Sequence, residues 1–210
     1  MSKPHLILAS GSPRRKQLLA AAGHVFEIIR PEVDEDPGKC SNCGPAELVA
    51  ELAFQKAENV LTQIATDRPR LHAMQTAGAI ILAGDTVAEC GGQILGKPRD
   101  EDDARKMLTT MSGQRHRVYS GVCLWPVGNT RVEPLVDVDI TTLVMDPLSD
   151  EQLDAYLASG DWEGKAGAFG YQDGLDWVHV VQGSESNVVG LPMELLGGML
   201  ATIQARSASE

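Results

Sequence analysis

The chain has 210 residues, 43% of them hydrophobic and 22% charged, which is the make-up of an ordinary globular protein with length enough for a substantial core. Its formal net charge of -11 argues against a general nucleic-acid surface, which needs many cations, and leaves room for a local basic nucleotide site. No apolar run approaches the length of a membrane span, and four cysteines in a chain this size predict no disulfide scaffold and a cytoplasmic residence.

The N-terminal stretch MSKPHLILASGSP holds one lysine and a very short apolar run, unlike a secretory signal. Leu6 to Ala9 reads as a buried strand, Ser10-Gly11-Ser12 as a tight turn, and Pro13 as the first residue of a helix capped by Ser12. Arg14 and Arg15 then fall in the first turn, at the positive end of the dipole, where cations are unfavourable unless an anion compensates them. Free amides, a Gly-Ser turn and two guanidiniums make a polyphosphate cradle; the alternative is a solvated pair of arginines.

Gly23 ends that helix, Val25, Ile28 and Ile29 are strand-like, and Pro31 breaks the run. Asp34, Glu35 and Asp36 form an acidic cluster, either a solvated loop or a Mg²⁺ ligand set, and spacing alone does not choose. Cys40 and Cys43 are a lone C-x2-C pair, better read as free thiols in a loop insertion than as a zinc knuckle, which would have to recruit Cys90, Cys123 or histidines at unmotivated spacings. Pro45 to Ile64 predicts a helix with Leu48, Leu52, Val60 and Ile64 on one face. Lys56 lies in that stripe, either snorkelling outward or held as a cation at the floor of a cleft.

Asp67 to Gly78 is expected to be a helix end and a loop. Ala79 to Ala83 is the clearest buried strand; it meets Gly84-Asp85-Thr86, continues through VAEC, and returns at Ile94-Leu95 after Gly91-Gly92. A carboxylate where a buried strand meets glycine suits catalysis or metal binding, and Lys97 follows the return strand. Asp100 caps an acidic helix closed by Gly113. His116 to Trp125 and Val136 to Met145 read as strands, and Ser149 with Gln152 forms a capping box for a helix stopped by Gly160. GDWEGKAGAFGYQDG is too glycine-rich for regular structure and is expected to pack against a site, with Lys165 and Gln172 as its polar candidates. Trp177 to Val181 reads as a strand, Ser186-Asn187 leads to a last helix from Met193, and the tail beyond Arg206 is expected to be disordered.

Cations for phosphates, carboxylates for Mg²⁺ and an acid able to activate water are the equipment for cutting a phosphoanhydride bond, and no P-loop pattern is present. In order along the chain, ASGSPRR, VDE at 33–35, GDT at 84–86, GKPRD at 96–100, SGQRHRVYSGV at 112–122, KAGAFGYQ at 165–172 and SNVVGLP at 186–192 resemble the Maf family of nucleotide pyrophosphatases. The resemblance covers about residue 5 to residue 204 as a single domain within 1–210. It implies an α/β fold in which an elongated, mostly mixed sheet separates two lobes around a central cleft, as in the related inosine triphosphate pyrophosphatases. It also implies hydrolysis of a nucleoside triphosphate to the monophosphate and pyrophosphate with a divalent cation, Mg²⁺ or Mn²⁺. Asp85 becomes the proton acceptor, Glu35 and Asp85 the metal ligands, and Ser10, Ser12, Arg14, Arg15, Lys56, Thr86, Lys97 and Gln172 the substrate-binding set, in which Arg14, Arg15, Lys56 and Lys97 neutralise the polyphosphate.

Substrate choice in the family follows three positions that fall on Arg14, Thr86 and Gln172, the set resembling the branch that acts on dTTP and UTP. A Gln amide offers the donor and acceptor that a uracil or thymine edge needs. Two alternatives stand beside this one: the sister specificity for 7-methyl-GTP, and a non-catalytic nucleotide-binding regulator of cell division. The resemblance also brings a homodimer into consideration, though no interface is read from the sequence. Departures from the family pattern are the insertion holding Cys40 and Cys43, Phe54-Gln55 before Lys56, and Asp173 after Gln172 where glycine is usual.

Overall fold

A computed structural model describes residues 4–33, 44–128 and 133–208. Strand β1 (Leu6–Ala9) is buried throughout and turns into helix α1 (Pro13–Ala21). The cap is the expected one, with the Ser12 side chain accepting from the Arg15 amide and Pro13 in the first turn. Next come β2 (Phe26–Ile28), α2 (Pro45–Ala65), α3 (Arg68–Thr76) and the hairpin of β3 (Ile80–Cys90) and β4 (Gln93–Leu95). α4 (Glu101–Met111), β5 (Arg115–Pro126), β6 (Leu135–Met145) and α5 (Asp150–Ser159) follow, then β7 (Val178–Gln182), α6 (Glu185–Val189) and α7 (Met193–Ala208). Asp100 caps α4, and Ser149 and Gln152 close the capping box of α5.

Three expectations are corrected. Residues 68–76 are helical rather than loop: Asp67 caps α3 by accepting from the Arg70 amide, and only Met74 of this helix is buried, so it shows no apolar stripe. A short helix, α6, fills the stretch read as a connection after β7. The last helix runs on to Ala208, past Arg206, where the tail was expected to lose order.

The seven strands lie in the order β2-β1-β3-β5-β6-β7, with β4 on β3. β1 is parallel to β2 and β3, and the other pairings are antiparallel, so the sheet is mixed as expected. Side chains alternate across it. Ile7, Ile81 and Ala83 pack with Ala57, Val60 and Ile64 of α2, while Leu6, Leu8 and Leu82 pack with Leu19 of α1 and Leu196 and Leu200 of α7. Farther along the long strands, Ala88, Val118 and Leu143 join Leu108 of α4 and Leu153 of α5 in a separate core. Gly84, Asp85 and Thr86 lie in β3 between these two lobes. Gly121, opposite Asp85 on β5, lets α2 come close, since a Cβ there would overlap the Val49 carbonyl.

Candidate active site

The seam between the lobes opens as a cleft of about 360 Å³. Its lining includes Ser10, Ser12, Arg14, Arg15, Lys56, Asp85, Thr86, Lys97 and Gln172. These are the residues singled out from the sequence, gathered from α1, α2, β3, the segment after β4 and the loop before β7. Glu35 is the exception. It lies outside the described residues, as do Asp34, Asp36, Cys40 and Cys43. Cys90 and Cys123 are buried free thiols in different parts of the core.

At the floor, Lys56 Nζ stands 2.6 Å from Asp85 Oδ1, and both side chains are nearly enclosed. The sequence left Lys56 between a snorkelling lysine and a cation at a cleft floor; the second holds. Its partner is Asp85 because the close contact of α2 with Gly121 carries the helix across the middle of β3.

Thr86, next along the strand, turns to other partners. Its hydroxyl is 2.9 Å from Ser120 Oγ on β5 and 3.0 Å from an amino nitrogen of Arg15 that donates to it. Arg15 also donates through Nε to the Gly190 carbonyl at 2.7 Å and through its other amino group to Ser10 Oγ at 3.3 Å. Thus the guanidinium expected to neutralise phosphate is buried and ties the first turn of α1 to β3 and to the end of α6. α6 is itself anchored through Asn187, whose side-chain amide donates to the Val118 carbonyl and to Thr141 Oγ1. Ser120 and Asn187 were not singled out as site-forming; they sit within matching motifs, yet only the folded chain shows that they brace Thr86 and Gly190.

The opposite wall is the glycine-rich loop after α5. Arg14 donates to the Gly164 carbonyl at 2.8 Å, and burial pulls its pKa below the ordinary guanidinium value against the opposing charge of Asp173. Lys165 is ion-paired with Asp173, and the Gly170 amide donates to the Tyr156 hydroxyl at 3.2 Å. The Gln172 side chain is exposed on the cleft and makes no hydrogen bond among the described residues. Its amide carries both a donor and an acceptor at the cleft lining.

Asp85 also bears on cation binding. Its Oδ1 accepts from Lys56, whereas Oδ2 has no hydrogen-bond partner among the described residues, where no group of three or more His, Cys, Asp or Glu is gathered. One carboxylate in a cleft lined by cations fits an ion that takes its remaining ligands from water and substrate phosphates, as Mg²⁺ does.

Comparison with known proteins identifies the family. Residues 5–203 match the family model described as Maf-like protein. The chain is 48% identical over 200 residues to a dTTP/UTP pyrophosphatase of Rhodopirellula baltica, covering 95% of this chain and 82% of that one. It is 36% identical over 203 residues to a dTTP/UTP pyrophosphatase of Ruminiclostridium cellulolyticum, covering 96% and 97%. Among solved structures, a HAM1 protein from Coxiella burnetii aligns with a TM-score of 0.48 at 14% identity, over 97% of this chain and all of that one. No helix among the described residues is long and apolar enough to cross a membrane. With its family model spanning nearly its whole length, the chain belongs to the Maf-like proteins.

Proposed function

We propose that this protein hydrolyses dTTP and UTP to the monophosphate and pyrophosphate. The observation that carries the proposal is the meeting of the Lys56–Asp85 pair with Arg14, Thr86 and Gln172 in one cleft. The relatives named dTTP/UTP pyrophosphatase support the same substrates.

Asp85 takes the proton of a water molecule as its oxygen attacks the α-phosphorus. The bond from that phosphorus to the α,β-bridging oxygen breaks, and pyrophosphate leaves with the electron pair. Lys56 fixes the Asp85 carboxylate and brings positive charge to the cleft floor, while Lys97 adds a cation at the rim. Such charge-assisted contacts contribute about 1.5–3 kcal/mol each. Asp85, joined by Glu35, would hold a divalent cation, Mg²⁺ or Mn²⁺, which neutralises charge on the phosphate oxygens when bound. Gln172 pairs with the imide edge of the pyrimidine, with Arg14 and Thr86 shaping the pocket around it. The activity implies the cytoplasm, where nucleoside triphosphates are kept, and a homodimer belongs to the same proposal.

Pyrophosphate release from dTTP, UTP, CTP, GTP and 7-methyl-GTP, with Mg²⁺ or Mn²⁺, tests it in wild type and Asp85→Ala. Turnover of dTTP and UTP that disappears in the variant is expected. Turnover confined to 7-methyl-GTP would overturn the substrate assignment, and binding of UTP without any pyrophosphate release would make the protein a regulator.

A further inference from the structure

The loop after α5 carries a charged pair, Lys165 in the cleft lining and Asp173 next to Gln172. Lys165 is nine-tenths buried, lines the cleft, and is bound by Asp173 across two short 3₁₀ turns, Ala166–Ala168 and Tyr171–Asp173. Gln172 is the middle residue of the second turn, adjacent to Asp173. The space between the charged groups is closed by Gly170, where a Cβ would collide with both the Asp173 carboxylate and the Lys165 ammonium. Asp173 also acts on the charge of Arg14, which is bonded to Gly164 next to Lys165. The first turn is pinned through the Gly167 amide to the Gly96 carbonyl, and the second through the Gly170 amide to Tyr156. Among the described residues, the ion pair is the side-chain hydrogen bond that joins the start of the first turn to the end of the second.

We infer that Asp173 is a positioning residue for base selection, holding the Gln172 turn against the cleft through its ion pair with Lys165. The inference rests on the assignment of Gln172 to the pyrimidine edge. Released from Lys165, the Tyr171–Asp173 turn keeps Gln172 in sequence but not in place, so nucleobase affinity falls while the chemistry at Asp85 does not.

Two variants break the pair by different routes. Asp173→Asn removes the charge, and Gly170→Ala leaves both charged residues intact and forces them apart. Each is expected to raise KM for UTP by roughly tenfold, the equivalent of one lost charge-assisted contact, with kcat changed less than about twofold. The preference for UTP over GTP should fall, and inhibition by tripolyphosphate, which has no base, should stay as in wild type. Asp173→Glu should recover part of the UTP affinity. An unchanged KM in both variants, or an equal loss of tripolyphosphate binding, would overturn the inference. Calorimetric titration of wild type and variants with UTP, dTTP and tripolyphosphate separates this from failure of the proposed activity. Wild type that binds UTP without hydrolysing it overturns the activity, and the UTP-to-tripolyphosphate affinity ratio still decides the role of Asp173. Wild type that binds neither UTP nor dTTP overturns both.

Discussion

Asp85 and Lys56 form a pair in which the two members have separable effects. In Asp85→Asn the side chain keeps its shape and its carbonyl still accepts from Lys56, but it can no longer take a proton. Loss of a positioned general base lowers turnover by roughly 10²–10⁴-fold, and we expect that loss with nucleotide binding retained, measured by pyrophosphate release and by calorimetry. Lys56→Met leaves a nearly enclosed carboxylate without its cation, a change that costs about 3–5 kcal/mol when one member of a buried pair is removed. Its denaturation midpoint should therefore fall well below that of wild type, and an unchanged midpoint would show that the pair does not support the fold. Arg15 differs from both, since its planar fork reaches Ser10, Thr86 and Gly190 together. A lysine ammonium cannot span three such partners. Arg15→Lys should lower kcat/KM for UTP by about tenfold, one charge-assisted contact's worth, and wild-type kinetics in that variant would exclude Arg15 from positioning Thr86.

Helix α2 reaches the middle of β3, where Asp85 lies, because β5 has a glycine where the two meet. The atoms a Cβ at Gly121 would overlap belong to the Val49 and Ala50 backbone, so the helix itself must shift to make room. Gly121→Ala should destabilise by about 1–3 kcal/mol, as overpacking does, and should slow turnover by drawing Lys56 away from Asp85. A variant with the expected loss of stability but unchanged kcat would uncouple the helix contact from the site. Local rules make much of this architecture legible in the sequence: Ser12-Pro13, Asp100 and Ser149-Gln152 name helix starts by their chemistry, and the apolar run from Ala79 names the central strand. The motif resemblance gathers the cleft residues into one site. Partners across the fold are not legible in this way. That Arg15 turns to Gly190, or Lys165 to Asp173, depends on tertiary geometry that no spacing encodes. α3 escapes for a different reason, because a helix that buries only Met74 lacks the apolar periodicity by which helices are recognised.

For the molecule as a whole, acid is expected to act through a histidine buried against Phe169, beside the glycine-rich loop after α5. His116 is 1% exposed and packs edge-on against Phe169, with ring centroids 5.5 Å apart. Burial lowers its pKa from 6.5 to about 4, against opposing contributions from the Gln114 backbone and the charge of Glu89. The unfolded chain therefore binds this proton more readily than the folded one. Stability is unaffected by His116 above the unfolded value, falls as pH drops from about 6.5 toward 4, and levels off below, for a total of about 3 kcal/mol. The net charge of -11 titrates over the same range as carboxylates protonate, relieving self-repulsion. That contribution is common to wild type and His116→Phe, which keeps an aromatic ring against Phe169, so it cancels in their difference. Urea denaturation at pH 7.5 and pH 4.5 should show wild type losing up to about 3 kcal/mol more than the variant across the interval. Equal losses in the two proteins would place the acid sensitivity elsewhere. The excess loss in wild type would assign that acid sensitivity to His116, packed against Phe169 of the cleft lining.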